Sequence, residues 1–208
     1  MKRLNPVYIQ LIGDSVIPLL GYFFWNWNLY FILIFYGLDL LTKEVLLHLK
    51  SKKINDFRKS ENAHGDKNEN LQWIKLALTS SLFLSFSIFL IQLSMPHIER
   101  NFNSLQELYA FWSLKDVGGI EQGYILIPLL IFMGYFQYKM EFLKPGVFTK
   151  MTHHDLWNPH IKSLLFILGF SAFSFGLVQF IELPEVFFIV GIVLISALVQ
   201  LVALPKKR

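Results

Sequence analysis

The apolar positions of this chain come in long runs broken by short polar punctuation, and six of those runs have the length of a membrane-crossing helix. A helix needs roughly 20 mostly apolar residues to cross about 30 Å of hydrocarbon, because every backbone amide must be satisfied within the segment. The runs cover residues 7–25, 29–49, 71–93, 120–140, 161–181 and 186–204. They predict an all-α fold, a polytopic membrane helix bundle of about six transmembrane helices that forms one membrane domain over residues 1–208. The stretch Trp25-Asn26-Trp27-Asn28 reverses the chain between the first two runs and makes them a tight hairpin. Only Glu182-Leu183-Pro184-Glu185 separates the last two, so these are expected as antiparallel neighbours.

Two polar stretches interrupt the runs. Residues 50–70 hold almost no hydrophobic side chains, carry Gly65 and several asparagines, and are expected as a mobile cytoplasmic loop. Residues 94–119 form an external amphipathic segment. There, Ser104 and Glu107 have capping-box spacing ahead of Leu105, Leu108, Tyr109, Phe111 and Trp112. Two readings stand side by side, a helix lying in the membrane interface and a loop helix packed on the bundle.

Composition and charge sharpen this picture. Hydrophobic residues make up 54% of the chain and aromatics 16%, and the mean hydropathy is +0.45, too apolar for a typical soluble domain. With the N-terminus inside, every one of the 19 lysines and arginines except Arg100 and Lys115 falls on the inner side, while Glu99, Glu107, Asp116, Glu121, Glu182 and Glu185 fall outside. That bias places both termini in the cytoplasm and suits a bacterial cytoplasmic membrane. Adding or dropping one span scrambles the partition. Cysteine is absent, which excludes disulfides, thiolate metal sites and cysteine nucleophiles.

Ionisable groups within the apolar runs are the first candidates for chemistry, since each costs about 2.5–3.5 kcal/mol at the bilayer centre. Asp14 and Asp39 sit at similar depth in the first hairpin, where a facing pair of carboxylates binds a cation or relays a proton. The structural alternative pairs Asp39 with Lys43 one turn on and leaves Asp14 to bond a neighbour. Glu44 and His48, also one turn apart, complete the candidate ion or proton path with Asp14, Asp39 and Lys43. A second candidate lies in the loop before the fifth run, where His153, His154, Asp155 and His160 have side chains suited to a divalent metal. Their spacing matches no zinc motif, and a solvated loop leading to a helix start at Asn158-Pro159 is the alternative. Lys50, Lys52, Lys53, Arg58 and Lys59, with Lys206, Lys207 and Arg208, are candidates for contact with anionic lipid, a cytoplasmic protein or nucleic acid. Small residues at Gly169, Ala172 and Gly176 and at Ser81 and Ser85 mark close helix packing, inside the bundle or between copies in a homo-oligomer. No zinc-protease helix and no glycine-rich phosphate loop is present, so catalysis has little support.

The segment from Leu11-Ile12-Gly13-Asp14-Ser15 through Pro18 and Gly21 to Tyr36-Gly37-Leu38-Asp39 resembles an uncharacterised bacterial domain family of small multi-pass membrane proteins. In this chain the family's Tyr-x-x-Glu-Asn-like element is Tyr36-Gly37-Leu38-Asp39-Leu40, with the acid shortened and the amide lost. The resemblance implies a multi-pass fold and weight on Asp14 and Asp39, and it supplies no activity. Three classes of function follow from the sequence: an ion-conducting channel or pore subunit; an accessory or regulatory membrane subunit, such as one serving bacterial defence; and a metal-dependent membrane enzyme at the histidine cluster.

Overall fold

The structure, a computed structural model, describes residues 6–24, 27–61, 67–99, 102–113 and 122–203. Regular structure among them is all-helical: α1 (Pro6–Phe24), α2 (Leu29–Glu61), α3 (Lys67–Ile98), α4 (Ser104–Ser113), α5 (Gln122–Gln137), α6 (His153–Val178) and α7 (Glu185–Ala203). A π-helical turn (Tyr138–Leu143) and a 3-10 turn (Val147–Thr149) link α5 to α6, with Gly146 between them at φ 67°, where a side chain would be strained. Leu71–Ile98 and His153–Val178 are long and apolar enough to cross a membrane, and Ser15–Phe24 and Glu185–Leu198 are shorter apolar helices. Only 22% and 11% of the apolar windows of the two long helices are buried, so most of their apolar surface faces outward.

α2 is the axis, with α3, α4, α5, α6 and α7 all packed on it. The upper end is where α2 begins and α3 and α6 finish; the lower end is where α3 and α6 begin. α3 and α6 form the most extensive helix pair and run parallel, since Trp73 stacks by His153 while Ser80 and His160 both reach Glu44. α3 carries buried Ser80, Ser87 and Ser94 at heptad spacing, small enough to let a neighbouring helix approach. Large apolar side chains point away from the bundle instead, among them Leu78, Leu82, Phe86 and Phe89 of α3 and Phe166 and Phe173 of α6. Aromatics close the upper core, where Trp27, Phe31 and Phe35 pack together and Phe111 of α4 reaches Phe31.

Several sequence expectations change. The region expected as a mobile loop over 50–70 is largely helical, with α2 running on to Glu61 and α3 beginning at Lys67. Its few apolar groups suffice because they land on a partner: Ile54 is fully buried with Phe142, Leu156 and Trp157. The first two helices also make little contact with each other, and α1 packs chiefly on α7. Gly169, Ala172 and Gly176 do not pack inside the bundle, since Ala172 is exposed and a Cβ added at either glycine meets nothing within 4 Å. The helix before the fifth run starts at His153 rather than at Asn158-Pro159, with Thr152 as its N-cap and Pro159 inside it. In α4 the N-cap work falls to Asn103, whose Oδ1 accepts from the amides of Leu105 and Gln106, and Glu107 accepts instead from Asn28 at 2.9 Å. The helix both packs on the bundle through Phe111 and exposes Leu105, Leu108 and Tyr109.

Candidate functional site

On α2 the polar residues Glu44, His48, Ser51 and Asn55 follow a four-three-four spacing, which puts them on one stripe of the helix. His153, Trp157 and His160 do the same on α6. The two stripes meet, antiparallel, with α3 completing the third wall, and they interlock in three layers at the lower end of the bundle.

The lowest layer joins Asn55 Oδ1 to His153 Nε2 at 2.8 Å, with the His153 ring stacked 6.2 Å from that of Trp73. His153 is 1% exposed, and both its Nδ1 and the Trp73 indole nitrogen are buried without a protein partner. In the middle layer the fully buried Trp157 donates its indole N–H to Ser51 Oγ at 2.8 Å, while His48 packs edge-on against Trp157 at 5.2 Å. The top layer centres on Glu44. One carboxylate oxygen accepts from Ser80 Oγ at 2.7 Å and meets His160 Nε2 at 3.0 Å, and the other accepts from Ser81 Oγ at 3.2 Å. One acid thus binds three groups from two helices, and it does so almost fully shielded. A buried carboxylate is tolerable only when it is neutralised or hydrogen-bonded in this manner.

The other candidates have different settings. Asp39 pairs with Lys43 on its own helix, half-shielded, one turn above Glu44. The side chain of Asp14 lies outside the described residues, as do Lys206, Lys207 and Arg208. His153 and His160 join separate layers and bind different partners, His154 is exposed, and Asp155 serves as N3 of a capping box with Thr152. Among the described residues no group of three or more histidines, aspartates or glutamates is placed to hold a metal ion. On the extension of α2, Lys52 and Lys59 are exposed, Lys50 and Lys53 lie over the rings of Phe142 and Phe148, and Arg58 donates to the Met151 carbonyl at 3.2 Å. Burial pulls the Lys50 ammonium below the ordinary lysine range, partly offset by Glu141. Ser51, Asn55, Trp73, Ser80 and Trp157 were not read from the sequence as site residues; for Ser51 and Asn55 the shared stripe with Glu44 and His48 on α2 was a signal, and for the others packing alone reveals them.

Above the layers, α2, α3, α6 and α7 part to leave a cleft of about 380 Å³ with an almost wholly apolar lining. It runs from Leu29 and Ile98 at the upper end down to the Asp39 and Lys43 pair. Ser87, Ser94 and Ser171 line it, yet each donates its hydroxyl proton to a carbonyl of its own helix, at 2.8, 2.8 and 2.9 Å. Near the upper rim, Gln92 donates to Tyr30 Oη at 2.9 Å. Compared with protein-family models, curated proteins and solved structures, the chain matches none of them.

Proposed function

We propose that this is a six-span protein of a bacterial cytoplasmic membrane, with the lower end of the bundle in the cytoplasm, and that it acts as an accessory or regulatory subunit that binds rather than conducts. The observation that carries this reading is the apolar outer surface of the bundle, which shelters a set of polar groups inside. Phe86, Phe89, Phe166 and Phe173 point outward while Glu44, Ser80, Ser87, Ser94 and His153 point inward, an order that suits lipid as the surrounding solvent. α2 carries Asp39, Lys43 and Glu44 within its apolar run, and their partners make that helix compatible with hydrocarbon. The lower end carries exposed Lys52, Lys59, Lys75, Lys139, Lys144 and Lys150, and the upper end carries Glu99, Glu182 and Glu185, which favours the cytoplasmic assignment.

Binding is favoured over conduction because the buried polar groups of the lower layers are largely spent on one another, and the cleft above them is apolar. Conduction is the second reading, supported by the depth of the Glu44–His160 pair. Proton flux into liposomes holding the purified protein separates the two. The binding reading expects no flux from the wild type or from Glu44→Gln. Flux in the wild type that disappears in a correctly folded Glu44→Gln would replace it with a proton path. Orientation is read separately with single cysteines at Lys52 and Gln106, since the chain has no cysteine of its own. An impermeant maleimide is expected to reach position 106 from outside and position 52 only after the membrane is opened.

A further inference from the structure

We propose that the cleft between α2, α3, α6 and α7 holds the hydrocarbon chain of a single-chain amphiphile whose cationic head rests at the acidic upper rim. This deepens the binding reading and rests on the bundle standing in a bilayer. Three observations lead to it.

The first is shape. The cleft follows α2 from Leu29 to Lys43, roughly 21 Å at 1.5 Å per residue. Its volume of about 380 Å³ falls within the roughly 300–1,000 Å³ usual for small-molecule sites. The second is the chemistry of the wall. The hydroxyl protons of Ser87, Ser94 and Ser171 are committed to their own helices and the rest of the lining is almost wholly apolar, so the wall offers an apolar chain good contact and offers an ion or a sugar little.

The third is charge. Glu107 and Glu185 are fixed at the start of α2, the first by Asn28 and the second by the amide of Leu29, and Leu29 is itself a wall residue. Glu99 follows Ile98, another wall residue, and partial desolvation together with the charges of Glu107 and Glu185 holds its carboxyl above the usual carboxylate range. A cation at that rim relieves the repulsion, whereas a phosphate or sulfate head adds to it. At the lower end the cleft stops at the mutually neutralised Asp39 and Lys43, which do not call for a second charged group.

The test uses the full-length protein in nanodiscs of phosphatidylcholine and a hexadecyl-trimethylammonium probe bearing a diazirine on its chain. Probes with the same chain and a sulfate or a phosphocholine head serve as comparison. Photolabelling by the ammonium probe is expected on peptides of α2, α3 and α7 that line the cleft. Glu99→Lys, a change at an exposed position, is expected to weaken that labelling about tenfold and to move preference toward the sulfate. Ser174→Phe, which pushes a ring into the cleft, is expected to abolish labelling by every head. Equal labelling by sulfate and ammonium probes, or indifference to Glu99→Lys, overturns the assignment of a cationic head. Cleft labelling that survives Ser174→Phe, or label spread evenly over the outer faces, overturns the site. Failure of the protein to enter nanodiscs sinks the membrane reading instead, so the two failures are distinct.

Discussion

The lower and upper halves of this bundle spend polar groups in opposite ways. In the lower half Glu44, Ser51 and Asn55 of α2 each bind a side chain on α6, and Glu44 also binds α3, so three helices are tied at fixed register. In the upper half Ser87, Ser94 and Ser171 bond back to the backbones of their own helices, while Gln92 of α3 donates to Tyr30 of α2. The lower helices cannot separate without exposing a carboxylate and its donors. The upper ones are held chiefly by apolar packing, and the cleft lies among them. Hydroxyls committed to their own helix permit close packing without fixing a partner, whereas hydroxyls committed across helices specify one.

The sharpest way to break this contrast is to remove the central acceptor below. Glu44→Ala leaves Ser80, Ser81 and His160 without their shared partner in a shielded site, and a loss of about 3–5 kcal/mol is expected. Unfolding in mixed micelles, titrated with dodecyl sulfate, measures it. Glu44→Gln keeps an acceptor in place and is expected to retain most of that stability. A loss under 1 kcal/mol for the alanine variant would show that the lower half is not tied as described.

Trp157→Phe comes next. It keeps a buried ring but deletes the indole N–H bond to Ser51, leaves a small void, and is expected to cost about 1–3 kcal/mol in the same titration. The corresponding change above, Tyr30→Phe, removes the phenol oxygen that Gln92 bonds and is expected to cost only about 0.6 kcal/mol. If the two variants lose the same amount, the halves are equally tied and the contrast fails.

The all-helical class was legible because run length alone carries it. The six apolar runs land on α1, α2, α3, α5, α6 and α7, and the Asp39–Lys43 pair is a one-turn contact that spacing suffices to foresee. The lower site was only half legible. Glu44, His48, His153 and His160 stand out as ionisable residues, but Ser80, Ser51 and Asn55 become site residues only when packing brings together positions 36, 106 and 98 residues apart. Average composition misled most over residues 50–70. A helix tethered to a partner surface needs only a few well-placed apolar contacts, and Ile54 and Phe57, the latter against Phe148, provide them. The glycines of α6 misled for the opposite reason, because a small-residue face does not reveal whether it looks inward or outward.

The smallest expected effect concerns pH at the upper rim. Glu99 has its folded-state pKa raised, first by partial desolvation and then by the carboxylates of Glu107 on α4 and Glu185 on α7. A raised carboxyl binds its proton more tightly in the folded than in the unfolded chain, so its stabilisation is complete below the ordinary glutamate value of about 4.3 and fades as pH climbs through the raised one. The thermal midpoint of the purified protein is therefore expected to drop slightly as pH rises across that window and then to level off. Glu99→Gln, which cannot ionise, should flatten this part of the profile while leaving the acid limb set by the other carboxylates. The lower half provides the control: Glu44→Gln is expected to leave the Glu99 part of the profile in place. A midpoint that rises through the same window in the wild type, or a Glu99→Gln profile that overlays it, would show that the acidic rim does not repel itself, and would remove the charge argument for a cationic head at the cleft.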